Sequence, residues 1–156
     1  MTLTEETLRT KNRCRDNPKR KEIVSEENRN KHIAHNDSGS LVRHFHVDGD
    51  ILPKGERPER CDFLLLDDTK KNAYYIELKG SPSNAKKCLR QVRSTENLFR
   101  PLLQGYKSLY RFVYGTGQGK NPNRQKSHFG GTEREIIDLR NSKILIDKRL
   151  LIEEKI

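Results

Sequence analysis

Two apolar runs in the middle of the chain, Cys61–Leu66 and Ala73–Lys79, have the length of buried strands and are joined by the polar stretch "DDTKKN". A third run, "LVRHFHV" (Leu41–Val47), precedes them. Beyond the turn signal "DGD" and the loop "PKGERPER", "IL" adds at most a short continuation. After the second run, Ala85, Cys88, Leu89, Val92 and Phe99 recur at three- and four-residue spacing, which predicts an amphipathic helix. Ser81 is its expected N-cap, with Pro82 in the first turn and Pro101 at its end. "LYRFVY" (Leu109–Tyr114) reads as a fourth strand. "KILIDKRLLIEEKI" holds at least one more, after a short helix or strand opened by Thr132 with Glu135. In the first 35 residues "TEETLR" and "SEENRNKHI" read as helix starts, capped by Thr4 and Ser25.

This order predicts one α/β or α+β domain with a central mixed β-sheet flanked by helices. Residues 1–40 are expected to be a helical, partly flexible N-terminal segment. Residues 41–156 are expected to form the core, with a basic, glycine-punctuated loop over 115–131 and a C-terminal strand segment. With 31% hydrophobic and 35% charged residues in 156, that core is small. No run of about 18 apolar residues exists, so no membrane span is expected, and the N-terminus lacks a secretory h-region. The scattered cysteines, Cys14, Cys61 and Cys88, predict reduced thiols in the cytoplasm and form no zinc motif.

Charge changes the picture once it is divided along the chain. Residues 1–40 carry nine Lys/Arg against seven Asp/Glu, and residues 41–80 seven against eight. Residues 81–130 carry ten against one, and the remainder balance at six each. The net charge of +10 therefore concentrates just after the two central strands. A segregated basic segment is the footprint of a polyanion partner, most often nucleic acid; a basic face kept for solubility is the plainer alternative. Lys86, Lys87, Arg90 and Arg93 on the helix and Lys120, Arg124 and Lys126 in the loop are the candidate phosphate contacts.

The chemistry lies in the central pair of strands. Tyr75, Glu77 and Lys79 share one face by alternation, and so do Asp62, Leu64 and Leu66. Folded as a hairpin about "DDTKKN", Leu66 meets Ala73, Leu64 meets Tyr75, and Asp62 lies opposite Glu77. A slip of one residue would separate the acids. Two carboxylates so placed resist joint ionisation unless a cation lies between them. Mg²⁺ or Mn²⁺, with oxygen ligands, answers that need, and Lys79 on the same face would bind phosphate or orient a water.

Asp62, followed by "IELKG" with Glu77 and Lys79, resembles the PD-(D/E)xK nuclease superfamily, across roughly residues 20–115. Acid-x-Lys alone occurs three times ("DTK", "ELK", "EEK"), but only "ELK" has the strand before it and the helix after. The resemblance implies a restriction-endonuclease-like core and metal ligation by Asp62, Glu77 and the Leu78 carbonyl. It also implies that Lys79 assists the nucleophile. In some branches a glutamate from the first helix joins the site, here Glu26 or Glu27, and a glutamine on the following helix, here Gln91. Cys61 stands where the family often has proline, and Thr95 departs from the Q-x-x-x-Y form.

The expectation is thus a metal-dependent nuclease hydrolysing nucleic-acid phosphodiesters, DNA in preference to RNA and as an endonuclease. A homodimer or larger complex would supply specificity. The alternative is a non-catalytic nucleic-acid-binding module of nuclease fold within a larger complex. A protein-interaction domain with a basic surface is a third. His44 and His46 have metal-like spacing but no evident third ligand, and a partly exposed strand explains them. "YGTGQGKN" lacks the first glycine and the hydroxyl residue of a phosphate loop. Tyr74, Tyr75, Tyr110, Phe112 and Tyr114 are expected in the core rather than as base-stacking platforms.

Overall fold

A computed structural model describes residues 3–55, 57–79, 85–114, 135–138, 142–146 and 151–156; of residues 79, 85, 86, 114, 135–138 and 142–146 it describes the backbone. The described residues form a mixed α+β structure with two sheets.

The larger sheet has strand order β3-β4-β5-β6-β8-β7 and the smaller β1-β2-β9. In chain order the elements are α1 (Glu5–Lys11), β1 (Glu22–Glu27), β2 (Asn30–His35), β3 (Val42–His46), β4 (Phe63–Asp67), β5 (Asn72–Lys79), α2 (Ala85–Phe99), β6 (Lys107–Tyr114), β7 (Glu135–Asp138), β8 (Ser142–Ile146) and β9 (Leu151–Lys155). Strands β3, β4 and β5 form an antiparallel meander, whereas β6 runs parallel to β5. A parallel neighbour requires a crossover, and α2 supplies it. The smaller sheet pairs β1 antiparallel and β9 parallel to β2.

Every residue of β4 is buried. That is the mark of a strand covered on both faces, and it explains why "FLLL" shows no alternation. On one face Leu64, Leu66 and Tyr75 join Cys88, Val92 and Phe99 of α2 and Leu8 of α1. On the other, Phe63, Leu65, Tyr74, Ile76 and Leu78 meet Ile23, Ala34 and Ile152 of the smaller sheet. Each such large apolar side chain, fully buried, contributes about 1.5–3 kcal/mol.

Helix α1 begins as its sequence dictates, with Thr4 Oγ1 accepting the Thr7 N–H at 3.2 Å. At the other end of α2 the chain passes into a short 3₁₀ turn, Arg100–Leu102, at Pro101. The helix expected from Ser25 does not form. Residues 22–35 are the β1–β2 hairpin, so the segment 1–40 is only partly helical. Its turn puts Asn28 and Arg29 at φ of 49° and 72°, and the inward face carries the polar residues Ser25, Asn30 and His32. Residues 135–138 are a strand and not a helical turn. The expected cap of α2, Ser81 with Pro82, and the basic loop over 115–131 lie outside the described residues, as does Thr132.

Candidate functional site

The register of β4 on β5 is the one the alternation required: Leu64 pairs with Tyr75 and Leu66 with Ala73, and the pairing ends at Phe63 and Ile76. Asp62 stands one residue ahead of β4. Its carbonyl accepts the Val47 N–H at 2.9 Å, and its Oδ2 accepts the Leu78 N–H at 2.8 Å. The side chain thus takes up the next backbone donor of β5, at the peptide that joins Glu77 to Leu78. This corrects the simple picture of two acids standing side by side on one face, because Asp62 turns in along the sheet. Asp62 is 8% exposed and Glu77 1%. Both charges reach Cys61, whose thiol is pushed well up by burial first and by the Glu77 and Asp62 carboxylates after it. Lys79 ends β5; its side chain lies outside the described residues.

The hairpin tip supplies a further acid. Glu27, the last residue of β1, lies against Asp62, and its carboxyl is pushed up by burial and then by the Asp62 charge and hydrogen bond. His46 and Lys54 oppose that rise. His46 Nε2 is 3.7 Å from Glu27 Oε2, and Lys54 Nζ is 3.6 Å from Glu27 Oε1. Of the two glutamates the sequence left open, Glu27 is therefore the one at Asp62. Glu26 faces away, with Lys31 at 3.4 Å. Glu27 comes from a strand and not from a first helix, so the local pattern gave no way to choose it. Lys54 carried no signal in the sequence beyond its place in the loop before Asp62.

His44 and His46 do share a face, but they do different things. His44 is buried, stacked on Phe63, and its Nε2 lies 2.9 Å from Ser25 Oγ. Burial, then Arg13, lowers it to about 3, so it is a neutral core residue and not the partly exposed one expected. His46 stacks on the same ring, with Arg13 Nη2 3.3 Å from its Nδ1. Its Nε2 is buried without a hydrogen-bond partner among the described residues, 3.7 Å from Glu27 Oε2.

A cleft of about 290 Å³ is lined by Asp48, Gly55, Arg57, Glu59, Arg60, Lys87 and Gln91. Arg60 is 5% exposed and is held by Asp48 Oδ1 at 3.0 Å and by the carbonyls of Pro58 and Pro53. Helix α2 is registered on this end of β4 by Thr95, whose Oγ1 accepts the Cys61 N–H at 2.8 Å. One turn earlier, Gln91 presents to the cleft; its Oε1 is buried and has no hydrogen-bond partner among the described residues. Lys87, Arg90 and Arg93 are exposed on α2, with Arg90 3.4 Å from Glu59. The side chain of Lys86, and Lys120, Arg124 and Lys126, lie outside the described residues. Tyr74, Tyr75, Tyr110 and Phe112 are buried in the core; the Tyr114 side chain is outside the described residues.

At the C-terminal end of β5, Asp62 has Glu27 against it, and Glu77 belongs to the same end of the strand. Glu27 Oε2 is buried without a hydrogen-bond partner among the described residues. Oxygen donors of this kind suit a hard divalent ion. Among the described residues no group of three or more His, Cys, Asp and Glu side chains is drawn together tightly enough to hold a metal as it stands. Comparison with protein-family models, with curated proteins and with solved structures finds no match. No described helix is long and apolar enough to cross a membrane.

Proposed function

We propose that the protein is a metal-dependent nuclease that hydrolyses phosphodiester bonds of nucleic acid, DNA in preference to RNA and at internal positions. The observation that carries this reading is the junction of β4 and β5, where Asp62 accepts the Leu78 N–H between Glu77 and Lys79 while Glu27 lies against it. Asp62, Glu77 and the Leu78 carbonyl would hold Mg²⁺ or Mn²⁺, with Glu27 beside them. Such an ion polarises a phosphoryl oxygen and lowers the pKa of a bound water. The chain's own part is to fix its carboxylates by backbone and burial, and to offer the Lys79 ammonium to the attacking water or a phosphate oxygen. Gln91 on α2 would orient the same water from the cleft side. A homodimer or larger assembly would bring two such sites to two strands.

A second reading, a nucleic-acid-binding module of the same architecture without turnover, is favoured by one observation. No three-ligand group is preassembled among the described residues.

Labelled single- and double-stranded DNA and RNA, incubated with Mg²⁺, Mn²⁺ or chelator, separate the two. Cleavage that needs the metal and falls by about a hundredfold or more in Lys79→Ala is the expected result. Salt-sensitive binding without cleavage by the wild type would give the site to the second reading. Neither binding nor cleavage would remove both.

A further inference from the structure

The near balance of charge in the first forty residues conceals a cationic segment. From Arg9 to Lys21 stand seven Lys or Arg against one acid, Asp16. The structure pins this segment along β3. Arg13 N donates to His44 O at 2.8 Å, and Asn12 Oδ1 accepts from Cys14 N at 2.9 Å and from His44 N at 3.0 Å. Further on, Val42 N donates to Pro18 O at 2.7 Å. Cys14 is fully buried, so the chain between these points is held with its cations outward. Lys11, Arg13, Arg15, Lys19 and Lys21 are exposed.

Thr10 to Arg13, Arg15, Asp16 and Asp50 line an open groove of about 480 Å³. Arg13 is engaged by Asp50 at 3.2 Å and Arg9 by Glu6 at 3.3 Å. Lys11, Arg15, Lys19 and Lys21 form no ion pair with another described residue. Fixed like charges raise the local potential, and a polyanion relieves it. The groove also leads to the carboxylates: Arg13 touches His46, and His46 lies beside Glu27.

We propose that this groove and the cations beyond it are a docking surface for the phosphate backbone of DNA, which they lead toward Glu27 and Asp62. That the bound strand is a substrate rests on the nuclease reading; the binding itself does not. An anionic membrane suits the surface less, because insertion beside cations calls for exposed apolar side chains. Among the described residues the large exposed ones are Val24 and Leu41, neither in the segment. Backbone contacts position a strand without reading its sequence, so no base preference is expected here.

The test uses the full chain in chelator, so that no cleavage is read, with labelled duplex DNA followed by fluorescence anisotropy at several salt concentrations. The double variant Lys11→Gln/Arg15→Gln should bind roughly tenfold more weakly, and the slope of log K against log salt should fall by about 0.9 for each phosphate that the variant no longer neutralises. Arg100→Gln/Lys107→Gln, which removes exposed cations at the far end of α2 and the start of β6, should bind as the wild type does. An unchanged affinity in the first variant, or an equal loss in both, overturns the groove. Tighter binding to phosphatidylserine vesicles than to DNA, weakened by the same variant, overturns the choice of partner. Asp62→Asn should retain DNA affinity in chelator; loss of cleavage in a separate assay with Mg²⁺ would bear on the nuclease reading and leave the groove standing.

Discussion

Asp62 commits one carboxylate oxygen to the Leu78 N–H, which fixes the side chain before any ligand arrives. Its other neighbour, Glu27, carries the cost. Two carboxyl groups in a half-buried space favour one shared proton, and Glu27 is held above the ordinary carboxyl value of 4.5 by burial and by Asp62. A carboxyl raised in the folded state gives stability that is full below its unfolded value and is lost as pH rises through the folded one. At pH 7 the charged Glu27 therefore strains the metal-free protein. Glu27→Gln is expected to melt higher than the wild type at pH 7 in chelator, with the advantage fading as pH falls toward the ordinary value of 4.5 and gone below it. Added Mn²⁺ should stabilise the wild type more than the variant. A variant that melts lower in chelator would mean that Glu27 is there for structure. The sequence made Asp62 and Glu77 legible because strand parity is local, whereas Glu27 is brought in from a strand of the other sheet. No spacing rule spans that distance.

The element that delivers Glu27 is the β1–β2 hairpin, and the sequence disguised it. Two-residue hairpins want left-handed residues at both central positions, commonly Asn-Gly. Here Asn28 is followed by Arg29, held at φ 72° with no glycine to announce the turn. Its inner face sets Ser25, Asn30 and His32 beside Ile23 and Ala34, so the alternation of a strand is clear in burial but broken in hydrophobicity. "SEEN" mimics a helix start for the same reason. By contrast β4 and β5 were legible as apolar runs of strand length, and α2 by an apolar face at three- and four-residue spacing. The tail was half legible. Its apolar runs are strands, but β8 joins the larger sheet and β9 the smaller, a division that non-local pairing decides. A non-glycine residue in the left-handed region costs about 1–2 kcal/mol. Arg29→Gly should therefore raise the urea midpoint, by about 1 kcal/mol of stability. A lower midpoint would show that the arginine side chain matters more than its backbone.

At the scale of the whole molecule, the question is what holds the smaller sheet, and with it Glu27, against the larger one. Apolar side chains do most of this, and polar ties cross the gap, one from Ser25 to His44 and another built on Glu154. Glu154 Oε2 on β9 lies 2.6 Å from His32 Nε2 on β2 and accepts from Arg111 Nε on β6 at 2.7 Å. His32 is fully buried, and the Arg111 side chain is 6% exposed with its guanidinium over the Tyr74 ring. Burial alone would raise the Glu154 carboxyl. The bonds from His32 and Arg111 outweigh it and hold Glu154 at about 2, against 4.5 ordinarily. A depressed carboxyl gives stability that is present above the unfolded value and is lost as pH falls toward the folded one. The tie should thus weaken between about pH 4.5 and pH 2, a contribution on the order of 3 kcal/mol. Glu154→Gln removes the charge and leaves a buried guanidinium with a neutral neighbour, a loss of about 3–5 kcal/mol by comparison with other broken buried pairs. Urea unfolding should show that deficit at pH 7 and its steady closing toward pH 2, where the wild type also loses the charge. A deficit that stays constant with pH would assign Glu154 a packing role only. Because β1 rides on β2, the same variant should loosen Glu27 from Asp62, and the stabilisation gained from Mn²⁺ at pH 7 should shrink with it.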